Sequence, residues 1–177
     1  SQGMQDGILA TIFDVIGTEN RFFVELGFQY VGDNPDESLI ASTYSNSPTN
    51  SYKLFRKGWK GRIFDSKLKH PGIGLFNEVI TGENVVQVFK SHNVPFAVDY
   101  VSVDIDSVDF WVLRGILSDE SPYRPRVITV EYNSNFPIQS TLACDPDWRP
   151  WATDFVYGSS VGASLEVTGP AGYQPVY

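Results

Sequence analysis

The chain is 177 residues long and 42% hydrophobic, enough apolar mass for one sizeable core, so a single domain is expected over residues 1–177. Thirteen Lys+Arg against 21 Asp+Glu leave a net charge of -8, which excludes the clustered basic footprint of a nucleic-acid binder. The single cysteine, Cys144, excludes an internal disulfide and a multi-thiolate metal site, and no apolar run approaches the ~20 residues of a membrane span.

From the N-terminus, residues 6–16 (DGILATIFDVI) set Ile8, Leu9, Ile12, Phe13 and Ile16 at helical spacing, with Gly17 as the stop. Residues 21–27 (RFFVELG) predict a strand ending in an acid and a glycine. Glu25 there either holds a nucleotide-like ligand or marks where a strand meets a loop. Residues 32–50 are rich in Ser, Asn, Pro and Asp and long for a connection, which predicts a functional lid or a disordered insertion. A short helix over 51–57 leads through Gly58 into a strand over 61–65. A strand over 73–80 and a helix over 81–93 follow, the helix capped by Thr81 and carrying His92 in its last turn. The pattern repeats with a strand over 98–104, a helix over 107–117 and a strand over 126–131. Beyond a Pro/Trp-rich loop holding Trp148 and Trp151, a helix is predicted near 159–167 and a last strand over 173–177.

Strands that are apolar on both faces and alternate with helices predict a parallel sheet covered on both sides. In such a sheet ligands bind beyond the carboxyl ends of the strands, where the strand order reverses. Acids close four of the predicted strands: Glu25, Asp65, Asp104 with Asp106, and Glu131. The two oxygens of Asp65 match a ribose diol. Gly27 either lets a ligand approach the backbone or simply makes a turn. No complete G-x-G-x-x-G and no basic phosphate loop follows the first strand, so a ligand without phosphates is expected and a nicotinamide-dependent oxidoreductase is disfavoured. Asn133 and Asn135, in YNSNFP, either orient a substrate or make turns before Pro137. Alternation along a strand puts Asp104 and Asp106 on one face, near Glu131 if the fourth and fifth strands are neighbours. Gathered without cations, such carboxylates raise one another's proton affinity or hold a divalent cation, so no metal is required. Asp104, Asp106 and Glu131 are the catalytic candidates. His92 is expected to cap a helix, His70 to lie at the surface and Cys144 to be inert.

The segments SQGMQDGIL, RFFVELGF, NSYKLFRKGWKGRIFD, VITGENVVQVFKSHNVP, DYVSVDIDSVDFWVLRGIL and YRPRVITVEYNSNFP together resemble the FkbM-like branch of class I S-adenosylmethionine-dependent methyltransferases, in register over the whole chain. The resemblance implies an α/β, Rossmann-like, three-layer methyltransferase sheet, here lacking the seventh strand. It implies S-adenosylmethionine as cofactor and methyl transfer to an oxygen or nitrogen nucleophile of a small molecule or glycan. Glu25, Gly27, Asn50 and Asp65 match its cofactor positions, and Asp104 and Asp106 its fourth-strand motif. The chain departs from the pattern at FQYVGDNPDES, where a glycine-rich turn is usual, and at Ser66 and Ser107, where glycines are usual. TGPAG also breaks the late helix, since Gly and Pro cost about 4 kcal/mol in a helix interior. These departures imply the alternative: a degenerate, catalytically inactive module serving as a structural or binding subunit of a larger complex, its open sheet edge covered by a partner.

Overall fold

The computed structural model describes residues 5–28, 44, 49–147 and 157–176. Most of the polar tract expected as a lid or insertion lies outside these residues, as do Trp148 and Trp151.

In chain order the elements are α1 (Gln5–Ile16), β1 (Phe22–Leu26), α2 (Tyr52–Arg56), β2 (Lys60–Asp65), a 3-10 turn (Pro71–Ile73), β3 (Leu75–Asn77), α3 (Val85–Ser91), β4 (Tyr100–Val103), α4 (Asp109–Ile116), β5 (Val127–Val130) and α5 (Val161–Thr168). The strands form one all-parallel sheet in the order β3-β2-β1-β4-β5. This is a Rossmann-like arrangement. The chain winds outward from β1 to β3 and returns to β4 on the other side, so the order reverses between β1 and β4.

Alternation along β1 explains how both faces are filled. Phe22, Val24 and Leu26 pack into a cluster with Phe64, Val101, Val85 and Phe89 of α3, and Leu113 and Ile116 of α4. Phe23 points the other way, to Leu9 and Phe13 of α1, Trp59, Ile63 and Tyr100. Because all five residues of β1 are buried, Glu25 lies inside the protein on the Phe23 face.

The structure corrects three expectations. The strand predicted over 73–80 is only Leu75–Asn77, because Pro71–Ile73 coil into a turn closed by left-handed Gly74. The helix predicted from Thr81 begins at Val85: Thr81 Oγ1 accepts from the Asn84 N–H at 3.2 Å while Asn84 Oδ1 accepts from the Thr81 N–H at 2.8 Å, a reciprocal cap ahead of the helix. No strand forms over 173–176. Tyr173 instead donates its hydroxyl to the Pro125 carbonyl and packs against the core, at the foot of β5 rather than along its edge. β5 is therefore the last strand among the described residues, and every position of it is half-buried. The late helix ends at Thr168, where Gly169 and Pro170 follow, as TGPAG predicts.

Candidate functional site

The carboxyl ends of the strands open into a cleft of about 690 Å3, within the ~300–1,000 Å3 range of small-molecule sites, at the reversal between β1 and β4. Glu25, Gly27, Asn50, Asp65, Asp104, Asp106 and Glu131 all line it, so the structure brings these sequence-predicted residues together. Glu78 and Asp147 add two more acids, and no Lys, Arg or His is among the described lining residues.

Glu25 answers the question its sequence posed. Its Oε1 accepts from the Asn50 N–H at 2.7 Å, and its Oε2 accepts from the Ser51 N–H at 3.1 Å and from the Ser51 hydroxyl. Ser51 Oγ is in turn 3.0 Å from the Tyr44 hydroxyl. A carboxylate within a buried strand must be satisfied internally, and this one fastens the segment leading into α2. Burial pushes Glu25 up to about 7, against the lowering effect of the Ser51 hydroxyl and the two amides. Between about pH 4.5 and 7 the native state therefore holds a proton that the unfolded chain has released, and stability falls as pH rises through that window. Glu25→Gln is expected to flatten this slope, read as urea unfolding free energies at pH 5 and pH 7. An unchanged slope would show that Glu25 is already ionised at pH 5.

Asp65 closes β2, and its Oδ1 accepts from the Lys67 and Leu68 N–H groups at 2.7 and 2.8 Å. Its Oδ2 has no partner among the described residues, so one oxygen remains for a ligand hydroxyl. Gly27 has φ +88, and a Cβ there would stand 1.8 Å from the Asp104 carbonyl oxygen. The approach of β4 alone thus requires a glycine.

Beyond β4 the chain does not stay extended: the strand ends at Val103 and Asp106 adopts φ 65. The alternation expected to align Asp104 with Asp106 is therefore replaced by a turn, which nevertheless converges them. One carboxylate oxygen from each of Asp104, Asp106 and Glu131 lies within 4.8 Å of the others. Burial and then the nearby Asp104, Asp109 and Asp106 push Glu131 up to about 7. Burial and Asp106 raise Asp104, which has only the long 3.4 Å contact from Asn50 Nδ2 to oppose them.

Two sequence expectations do not reach the cleft. Asn133 is buried, donating from Nδ2 to the Tyr157 carbonyl and accepting from the Asn135 N–H on Oδ1, and Asn135 is exposed outside the cleft. The geometry is a turn rather than a substrate contact. His92 does close α3, with its Nε2 3.0 Å from Glu78 Oε1. Sequence reasoning missed Asp109, which is 1% exposed and accepts from the Ile105 and Ser107 N–H groups at 2.8 and 3.1 Å, holding the turn that presents Asp106. Burial pushes it up to about 6 despite those amides. Its signal was an acid in the first turn of a helix.

Among known proteins, no family model, no curated protein and no solved structure matches the chain. Fold and site define it at the level of class: a parallel α/β protein with a carboxylate-lined cleft at the switch point of its sheet.

Proposed function

We propose that the chain binds S-adenosylmethionine in this cleft and transfers its methyl group to an oxygen or nitrogen nucleophile of a small molecule or glycan. The observation that carries the reading is the charge of the cleft. Seven acids and no cation among the described lining residues disfavour a phosphate-bearing ligand and favour one that is phosphate-free and positively charged. The Oδ2 of Asp65 would accept from a ribose hydroxyl. When bound, the cofactor supplies a methyl group that is already electrophilic, so the chain need only position an acceptor and remove its proton. Glu131 suits the proton removal, because its carboxyl accepts no hydrogen bond among the described residues and holds a proton up to about pH 7. Asp104 and Asp106 would orient the acceptor beside it.

The commitment of Glu25 to Asn50 and Ser51 favours a second reading. A residue at a cofactor position is occupied in holding the chain, as in a catalytically inactive module retained as a structural or binding subunit.

Calorimetric titration separates the two. S-adenosylhomocysteine is expected to bind 1:1, and S-adenosylmethionine more tightly at low salt because its sulfonium adds a charge that the cleft attracts and salt screens. Asp65→Ala is expected to weaken either ligand by ~1.5–3 kcal/mol, the scale of a hydrogen bond to a charged group. Absence of heat and of thermal shift at saturating ligand would leave the inactive module as the reading.

A further inference from the structure

We infer that Asp104, Asp106 and Glu131, joined by the amide of Asn50, form a binding site for a hard divalent cation of the Mg2+, Mn2+ and Ca2+ class. The spacing comes first. Oxygen ligands stand about 2.3–2.6 Å from Ca2+ and less from Mg2+, so two ligands of one ion are separated by at most ~5 Å. The three carboxylates meet that limit, with one oxygen of each within 4.8 Å of the others. They follow the ends of two neighbouring parallel strands, β4 and β5, whose paired last residues Val103 and Val130 hold the segments that carry them side by side.

An acidic cluster alone would not suffice, since solvent can satisfy it. The second observation is Asn50. Its side chain is 5% exposed, it lines the same cleft, and its Nδ2 lies 3.4 Å from Asp104 Oδ2. Its Oδ1, on the same small planar amide, is buried and has no hydrogen-bond partner among the described residues. A buried carbonyl left unpaired is costly, and a structure tolerates it where a ligand completes the site. Three carboxylates beside an amide whose oxygen is unpaired, with no His or Cys among the described residues lining the cleft, are the ligand type of hard cations rather than of zinc or copper. No Lys, Arg or His among the described residues lining the cleft neutralises the three acids.

The cation site gathers beyond the ends of β4 and β5, whereas Asp65 closes β2, two strands away from β4 in the sheet. The site does not depend on the cofactor reading, and it is tested without cofactor. Purified chain is titrated into MnCl2, and free Mn2+ is followed by its electron paramagnetic resonance signal. One Mn2+ per chain is expected. Asp106→Asn and Glu131→Gln are each expected to weaken binding at least tenfold, the range seen when even outer partners of a metal site are removed. Asp119→Asn, an exposed acid elsewhere, is expected to leave affinity unchanged. Asp106 is exposed, so its variant should keep the wild-type thermal transition, which serves as the folding control. No binding, or weak multi-site binding that falls equally in Asp119→Asn, would overturn the inference. So would a folded Asp106→Asn variant with wild-type affinity. Failure here with S-adenosylhomocysteine still bound would remove the metal and leave the proposed function standing.

Discussion

Alanine in place of Asp99 is expected to cost ~3–5 kcal/mol of stability, the scale for breaking one side of a buried charged pair. Asp99 is 0% exposed and lies just before β4, far from the cleft. Its Oδ2 accepts from the Glu19, Asn20 and Arg21 N–H groups at 3.0, 2.9 and 2.7 Å, and its Oδ1 accepts from Arg126 Nη1 at 2.8 Å. Arg21 takes φ 49, which helps turn three successive amides toward one anion. Removing the carboxylate strands those amides, whereas Arg126 keeps the carbonyls of Ile16 and Gly17. The effect should be seen in urea unfolding and as a fall in Tm of roughly 6–20 °C, at 2–4 °C per kcal/mol for a chain of this size.

The pH dependence of that variant tests the cause. Burial alone would raise Asp99, but Arg126 and the three amides outweigh it and hold the carboxyl below its ordinary value. A depressed acid stabilises the fold above its unfolded pKa and loses that contribution as pH falls through the folded one. The difference between wild type and Asp99→Ala should therefore be full near neutrality and shrink in acid, below about pH 4. A difference that stayed constant down to pH 3 would mean that packing, and not the ionised carboxylate, does the holding.

Asp99 also shows what the sequence could and could not reveal. Local pattern carried the alternation of strands and helices, because apolar runs bounded by Gly, Pro and Asn report period and length directly. It also carried the acids at the strand ends, since a parallel sheet places every such residue on one rim. Bonds between residues about 80 positions apart, such as Asp99 with Glu19, leave no local trace. The same limit hid the fate of Glu25, whose partners Asn50 and Ser51 lie across the long polar tract. Asn133 failed as a substrate residue for a different reason: an Asn two residues before another in a turn-rich segment is satisfied by its own neighbours, and that local bond won. The last strand is replaced by the anchoring of Tyr173, whose ring packs on the core and whose hydroxyl donates to the Pro125 carbonyl, a contact 48 positions away that no local pattern reports.

Gly27→Ala is expected to be the most disruptive single-methyl change at the cleft. The added Cβ would stand 1.8 Å from the Asp104 carbonyl oxygen and 3.0 Å from its carbon, and backbone cannot swing aside as a side chain can. Gly27 is also pinned by its N–H to the Phe64 carbonyl at 2.9 Å, and Asp104 by its N–H to the Leu26 carbonyl at 3.2 Å, so the end of β1 and the end of β4 must part together. Left-handed backbone costs a residue with a Cβ ~1–2 kcal/mol, and overpacking a fixed neighbour adds ~1–3 kcal/mol. A loss of roughly 2–5 kcal/mol follows, measured by urea unfolding. Gly17→Ala supplies the control, because Gly17 has φ +67 but nothing within 4 Å of its added Cβ, so it carries the conformational cost alone. The excess of Gly27→Ala over Gly17→Ala is then the cost of separating β1 from β4. Since Asp104 is the residue displaced, Mn2+ affinity should fall in the Gly27 variant and stay unchanged in the Gly17 variant. Equal destabilisation by the two substitutions would show that β4 can retreat freely from Gly27, and the fixed geometry assigned to Asp104 would be wrong.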